Sequence, residues 1–129
     1  MTPQIGFIAF LLLTVVLLGA VLWTGFTHRL AAHLTLVAGT LAALGTAITF
    51  AIQLGELYDL EAAGRITPIH LFLAKLTTAL YLLPLISGIA TLRNRRFLWL
   101  HKNLAFFVVA MTLVSTVTGA IMLYRAVPL

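Results

Sequence analysis

Four long apolar segments divide this chain, and its polar residues gather in the short stretches between them. The segments cover residues 5–26, 30–54, 67–92 and 98–125. Each is close to the roughly 20 residues that a helix needs to cross about 30 Å of hydrocarbon. Helix is the expected conformation, because strands in lipid must close into a barrel and four strands are too few. The pattern predicts an all-α integral membrane protein.

The connections between the segments predict how the helices are arranged. They consist of residues 27–29, 55–68 and 93–96. Short connections make consecutive helices antiparallel neighbours. We therefore expect a single domain, residues 1–129, that folds as an antiparallel up-down four-helix bundle.

Composition supports a membrane location and narrows the functional classes. Hydrophobic residues make up 62% of the chain and charged residues 9%, whereas soluble domains carry about 25% charged residues. There is no cysteine, which excludes disulfides and thiolate metal sites. No Walker loop, zinc-protease motif, nucleophile elbow or pair of carboxylates within a segment is present. We expect no catalytic residues and no enzymatic activity.

The net charge of +5 is interpreted as an orientation signal rather than as a nucleic-acid surface. The basic residues of one side are Arg29, Arg93, Arg95, Arg96 and Lys102. All three acidic residues fall in the second connection. By the positive-inside rule the basic side is cytoplasmic, which places both termini outside. We expect a multi-pass protein of a bacterial inner membrane.

Histidines at the cytoplasmic ends of two segments are the main candidates for a cofactor site. His33 and His101 each lie about one helical turn inside the second and fourth segments. Neutral imidazole is a good ligand for iron, and helix bundles build cofactor sites from facing side chains. His33 and His101 are therefore candidate metal ligands of one haem b. The alternative is a pair of interfacial histidines that meet lipid headgroups.

A second polar group is expected at the outer ends of the middle segments. It consists of His70, Lys75 and Gln53. Lys75 either extends outward to the loop acids or stays near Gln53. In the second case the group could bind a quinone carbonyl or a haem propionate. His28 is expected to be a solvated turn residue.

The second half of the chain resembles a family of small bacterial four-helix membrane proteins linked to the maturation of haem–copper oxidases. The features that carry the resemblance are Leu83-Pro84-Leu85, the turn from Arg93 to Arg96 followed by His101-Lys102-Asn103, the run from Val114 to Gly119, and His28, Arg29 and His70. The histidine arrangement is also loosely similar to that of transmembrane b-type cytochromes. Where the family pattern has a histidine near the outer end of the second span, this chain has Gln53, which weakens the case for a metal site there.

Three functional hypotheses follow. The first, which the resemblance implies, is an accessory or assembly protein of a respiratory complex, associated with haem and packed against larger membrane subunits and lipid. The second is a one-haem b-type cytochrome that exchanges electrons with quinone. The third is a structural subunit of a larger energy-converting complex that binds pigment or lipid.

Overall fold

A computed structural model describes the whole chain, Met1–Leu129, and it is almost entirely helical. The α-helices are α1 (Pro3–Phe26), α2 (Leu30–Leu57), α3 (Ile66–Leu80), α4 (Leu82–Arg93) and α5 (Leu98–Arg125). Two short 3₁₀ helices cover Glu61–Ala63 and Arg95–Phe97. Two strands of two residues each, β1 (Tyr58–Asp59) and β2 (Val127–Pro128), complete the elements.

Four helices are long and apolar enough to cross a membrane, as the sequence pattern predicts. They are Pro3–Phe26, Leu30–Leu57, Ile66–Arg93 and Arg95–Arg125. Between 11% and 22% of the most apolar window of each helix is buried inside the protein. Most apolar side chains therefore face outward, which is compatible with a multi-pass membrane protein.

The chain divides into two compact units. The N-terminal pair is Met1–Tyr58 together with Leu129, and it contains α1 and α2. The C-terminal pair is Asp59–Pro128, and it contains α3, α4 and α5. In each pair we call the end where the chain turns between the helices the turn end, and the other end the open end.

Within the N-terminal pair, α1 and α2 pack against each other. Thr2 caps α1, because its hydroxyl accepts a hydrogen bond from the Ile5 amide at 3.4 Å, and Pro3 occupies the first turn. At the open end the ring of Phe50 lies against Gly6. A Cβ added to Gly6 would fall 2.6 Å from that ring, so this position has room only for glycine.

Within the C-terminal pair, both halves of the third span pack against α5. The helix is interrupted at Tyr81, between α3 and α4. Pro84 explains the interruption, because it lacks the amide that would donate to the carbonyl of residue 80 and its ring crowds that carbonyl.

Candidate cofactor-binding histidines

His33 is held against α1 at the turn end of the N-terminal pair. Its Nδ1 lies 3.0 Å from the Val21 carbonyl oxygen and 3.3 Å from the Thr24 hydroxyl. That hydroxyl itself donates to carbonyls of its own helix, at 2.9 Å and 3.1 Å. The ring lies beside Gly25, where an added Cβ would be 3.4 Å from the imidazole Cε1. We call Thr24, Gly25 and His33 the His33 cluster.

His101 is held against α4 at the turn end of the C-terminal pair in the same way. Its Nδ1 lies 3.2 Å from the Ser87 hydroxyl, which donates to the Pro84 carbonyl at 3.3 Å. The ring covers Gly88, where an added Cβ would be 3.1 Å from Cε1. We call Ser87, Gly88 and His101 the His101 cluster.

His70 is held against α5 at the open end of the C-terminal pair. Its Nδ1 lies 3.1 Å from the Thr118 hydroxyl, which donates to the Ser115 carbonyl at 3.0 Å. An added Cβ on Gly119 would be 2.8 Å from the His70 Cε1. We call Thr118, Gly119 and His70 the His70 cluster.

The hydrogen-bond partners in these clusters indicate which ring nitrogen of each histidine carries the hydrogen. A carbonyl oxygen only accepts, so the contact with Val21 requires that Nδ1 of His33 carries the hydrogen. The hydroxyls of Thr118 and Ser87 each have one proton and also contact a carbonyl of their own helix. If each hydroxyl donates to that carbonyl, its oxygen accepts from Nδ1 of His70 or His101. In a neutral ring with Nδ1–H, the lone pair is on Nε2.

This is the arrangement that prepares a histidine to ligate a metal. Metal-binding histidines donate the hydrogen of one ring nitrogen to a carbonyl, a carboxylate or a water, which fixes the ring and raises the basicity of the other nitrogen. Here a Ser or Thr hydroxyl contacts Nδ1 of all three rings, and the Val21 carbonyl contacts Nδ1 of His33 as well. All three rings are half-buried.

The two clusters of the C-terminal pair are too far apart to share one metal ion. His70 and the glycine beneath His101 are 18 residues apart on the third span, about 27 Å at 1.5 Å per residue. Two axial nitrogens on one metal lie about 4 Å apart, because each bond is about 2 Å long. Between the clusters, the Tyr81 hydroxyl bonds that of Thr112 at 2.8 Å, and both residues are buried.

The other predicted site residues, Gln53 and Lys75, do not belong to a cluster of this kind. Gln53 on α2 and Lys75 on α3 are both exposed, and their roles stay predictions. His28 is exposed in the turn between α1 and α2 and adopts a positive φ of 54°, as befits the turn residue that was expected.

The hydroxyl and glycine of each cluster were not among the predicted site residues. The sequence does contain a signal. It has three positions where Ser or Thr directly precedes Gly, namely 24–25, 87–88 and 118–119, and each of the three carries a histidine in the fold. Which histidine each dipeptide receives depends on helix pairing and rotation, which the sequence pattern leaves open.

Comparison of the chain with protein-family models, with curated proteins and with solved structures gave no match.

Proposed function

We propose that the protein is a haem-associated accessory protein of a respiratory membrane complex, with no reaction of its own. The observation that carries the proposal is the shared geometry of the three clusters, each of which holds an imidazole through Nδ1 at a Ser or Thr hydroxyl in an apolar helix pair. When bound, haem would supply one-electron redox chemistry. The chain's own residues would hold the iron through Nε2 and keep its ligands in place.

The cost of burying histidine supports a ligand role. A polar ring in a membrane helix is expensive unless it is paired, and such residues usually serve a function. The clusters satisfy Nδ1 with groups that also fix the ring plane.

Basic side chains at the turn end of the C-terminal pair, where His101 lies, suit the binding of a haem propionate. The basic side chains next to the turn that precedes His101 are Arg93, Arg95, Arg96 and Lys102. In the N-terminal pair, Arg29 lies one helical turn before His33. Arginine and lysine bind carboxylates through charge-assisted hydrogen bonds. His33 and His101 are therefore the ligands that we propose for the first haem.

Exposed polar groups on apolar helices suggest a larger membrane partner. Lys75 lies in the tenth position of α3, and Phe72 and Leu76 beside it are exposed as well. A charged side chain at such a position reaches toward the interface or pairs with another subunit. We propose a partner subunit of a respiratory complex, with haem–copper oxidase as the first candidate. The proposed setting is an antiparallel bundle in a bacterial inner membrane with both termini outside.

The second candidate is a one-haem b-type cytochrome that uses His33 and His101 and exchanges electrons with quinone. It is favoured by the equal tautomers of these two rings. The two candidates differ in haem binding by the isolated protein, since an electron carrier holds haem stably without a partner subunit.

A reduced-minus-oxidised spectrum of the full-length protein, purified in mild detergent, tests the proposal. We expect a haem α-band that is lost in His33→Phe and His101→Phe and kept in His28→Phe, whose ring lies in no cluster. Co-purification with oxidase subunits is expected for the accessory role, and a stable haem protein without partners would favour the carrier. Absence of the band from well-folded protein, both alone and with its co-purified partners, would refute haem association. A chlorin spectrum in its place would favour the structural pigment-binding hypothesis.

A further inference from the structure

The two long helical segments of the C-terminal pair repeat each other in sequence. Residues 70–93 align without gaps with residues 101–124, at an offset of 31. The identical positions are His70/His101, Leu73/Leu104, Ala74/Ala105, Ala79/Ala110, Leu82/Leu113, Gly88/Gly119 and Leu92/Leu123. In addition, Ser87 aligns with Thr118. Each segment therefore has a histidine followed, 18 residues later, by a glycine that directly follows a hydroxyl residue.

That spacing places histidine and glycine on the same face of each segment. Eighteen residues are five turns of 3.6 residues. In the antiparallel pair, His70 of the first segment meets Gly119 of the second, and His101 of the second meets Gly88 of the first. The arrangement is self-complementary, as in an interface related by a two-fold axis.

At the two ends, Nδ1 of the imidazole has the same kind of partner. Nδ1 lies 3.1 Å from a threonine hydroxyl in the His70 cluster and 3.2 Å from a serine hydroxyl in the His101 cluster. In both clusters the hydroxyl donates to the carbonyl three residues earlier, at 3.0 Å and 3.3 Å. In both, Cε1 is the ring atom closest to the glycine. A ligand role argued for one ring therefore applies to the other.

The N-terminal pair shows that packing alone does not require an imidazole at an open end. There, Gly6 is covered by the hydrocarbon ring of Phe50, which also stacks on Phe10 at 5.9 Å between centroids. An aromatic ring thus fills the space over a helix glycine without any polar atom. At the open end of the C-terminal pair the chain places a histidine instead, at the cost of burying a polar ring.

From this equivalence we propose that His70 is the axial ligand of a second metallotetrapyrrole, bound at the open end of the C-terminal pair. This inference rests on the proposed function, because it extends the same ligand chemistry to a second position. The metal is one that takes an axial imidazole, iron in haem or magnesium in a chlorin. Thr118 is a positioning residue, since it holds Nδ1 and acts only through the ring.

The test is the number of tetrapyrroles bound per chain in full-length protein, titrated in mild detergent with haemin and, in a parallel arm, with magnesium protoporphyrin. We expect two per chain in the unaltered protein. His70→Phe, which copies the arrangement of Phe50 over Gly6, is expected to bind one, a twofold loss. His101→Phe is the reciprocal control, because it removes the other site and keeps the His70 cluster.

A second variant retains the imidazole, so it tests the second site even if loss of the His70 ring prevents folding. Thr118→Val keeps the shape of the side chain and removes the hydroxyl, and it is expected to lower affinity at the second site about 10- to 100-fold, the usual effect of losing an outer-shell partner. Thr78→Val is its matched control, since the Thr78 hydroxyl bonds only its own helix, at Ala74.

The outcomes separate the two proposals. One tetrapyrrole per chain, lost in His101→Phe and unchanged in both His70→Phe and Thr118→Val, would overturn the second site and leave the proposed function intact. No binding of either probe by well-folded protein would overturn both. A fall from two tetrapyrroles per chain in the unaltered protein to one in His70→Phe supports the second site. Whether haemin or magnesium protoporphyrin binds there identifies the metal.

Discussion

At the scale of single residues, each of three imidazole rings packs over a glycine of the neighbouring helix. The distance from the ring to an added Cβ on that glycine differs among the clusters. The nearest ring atom would be 2.8 Å from a Cβ at Gly119, 3.1 Å at Gly88 and 3.4 Å at Gly25. The first distance requires a shift of the ring, whereas the last is ordinary van der Waals contact. The glycines thus differ in how strictly they are required.

Alanine substitutions should follow that order. Gly119→Ala is expected to lower the free energy of unfolding by about 1–3 kcal/mol, the usual cost of overpacking. Gly88→Ala should cost less, and Gly25→Ala little. Thermal unfolding in mild detergent, followed by circular dichroism, measures the effect.

Gly45 provides the control for this series, because no atom lies within 4 Å of an added Cβ. Gly45→Ala should be neutral or stabilising, since alanine restricts the unfolded chain. If Gly119→Ala were as well tolerated as Gly45→Ala, the close approach of the His70 ring to α5 would be wrong.

At the scale of helical elements, the contact between Tyr81 and Thr112 joins the interrupted third span to α5. The Thr112 hydroxyl donates to the Val108 carbonyl at 2.8 Å. Its single proton is therefore used, and Tyr81 must be the donor in the 2.8 Å contact between the two hydroxyls. Because of this direction, removing the Thr112 hydroxyl leaves the buried Tyr81 hydroxyl without an acceptor. Removing the Tyr81 hydroxyl leaves no donor unpaired.

The two conservative substitutions should therefore differ. Tyr81→Phe leaves Thr112 still bonded to its own helix, and is expected to cost about 0.5–1 kcal/mol, typical of one hydrogen bond in a membrane protein. Thr112→Val strands the buried Tyr81 hydroxyl and should cost about 1–3 kcal/mol. Unfolding of both variants in the same detergent gives the comparison. Equal losses, or a larger loss for Tyr81→Phe, would contradict the assigned direction.

The sequence predicts the elements well and the contacts between them less well. Runs of apolar residues locate the spans, because bilayer thickness sets their length, and Pro84 predicts the disturbance of the third one. The pattern does not give the rotation of each helix about its axis. For that reason the pattern predicts His101 as a metal ligand without the serine and glycine that hold it. It also groups His70 with Gln53 and Lys75 rather than with Thr118 and Gly119.

At the scale of the whole molecule, the charged residues lie in the connections or near the ends of the four helices that can cross a membrane, with Lys75 as the exception. Orientation follows from the excess of basic residues at one set of connections and stays a prediction. The absence of cysteine makes it easy to test, since any introduced cysteine is unique. Thr27 and Ala62 are exposed positions in connections on opposite predicted sides.

Labelling with a membrane-impermeant maleimide should distinguish those sides. Ala62→Cys is expected to react in intact cells, and Thr27→Cys only after the membrane is permeabilised. The reverse result would invert the orientation. Reaction of both cysteines in intact cells would contradict a membrane crossing by α2, which lies between them.

The two proposals require that His33, His70 and His101 carry the hydrogen on Nδ1, which leaves Nε2 to ligate a metal. Ring nitrogen-15 NMR of histidine-labelled protein in lipid bilayers, at about pH 8 where ordinary imidazoles are neutral, tests this requirement most directly. Single His→Phe variants assign the signals, and the exposed His28 serves as the reference for an unconstrained ring. We expect His33, His70 and His101 each to show a protonated Nδ1 and an unprotonated or metal-bound Nε2. A protonated Nε2 at any of these three positions would contradict the account.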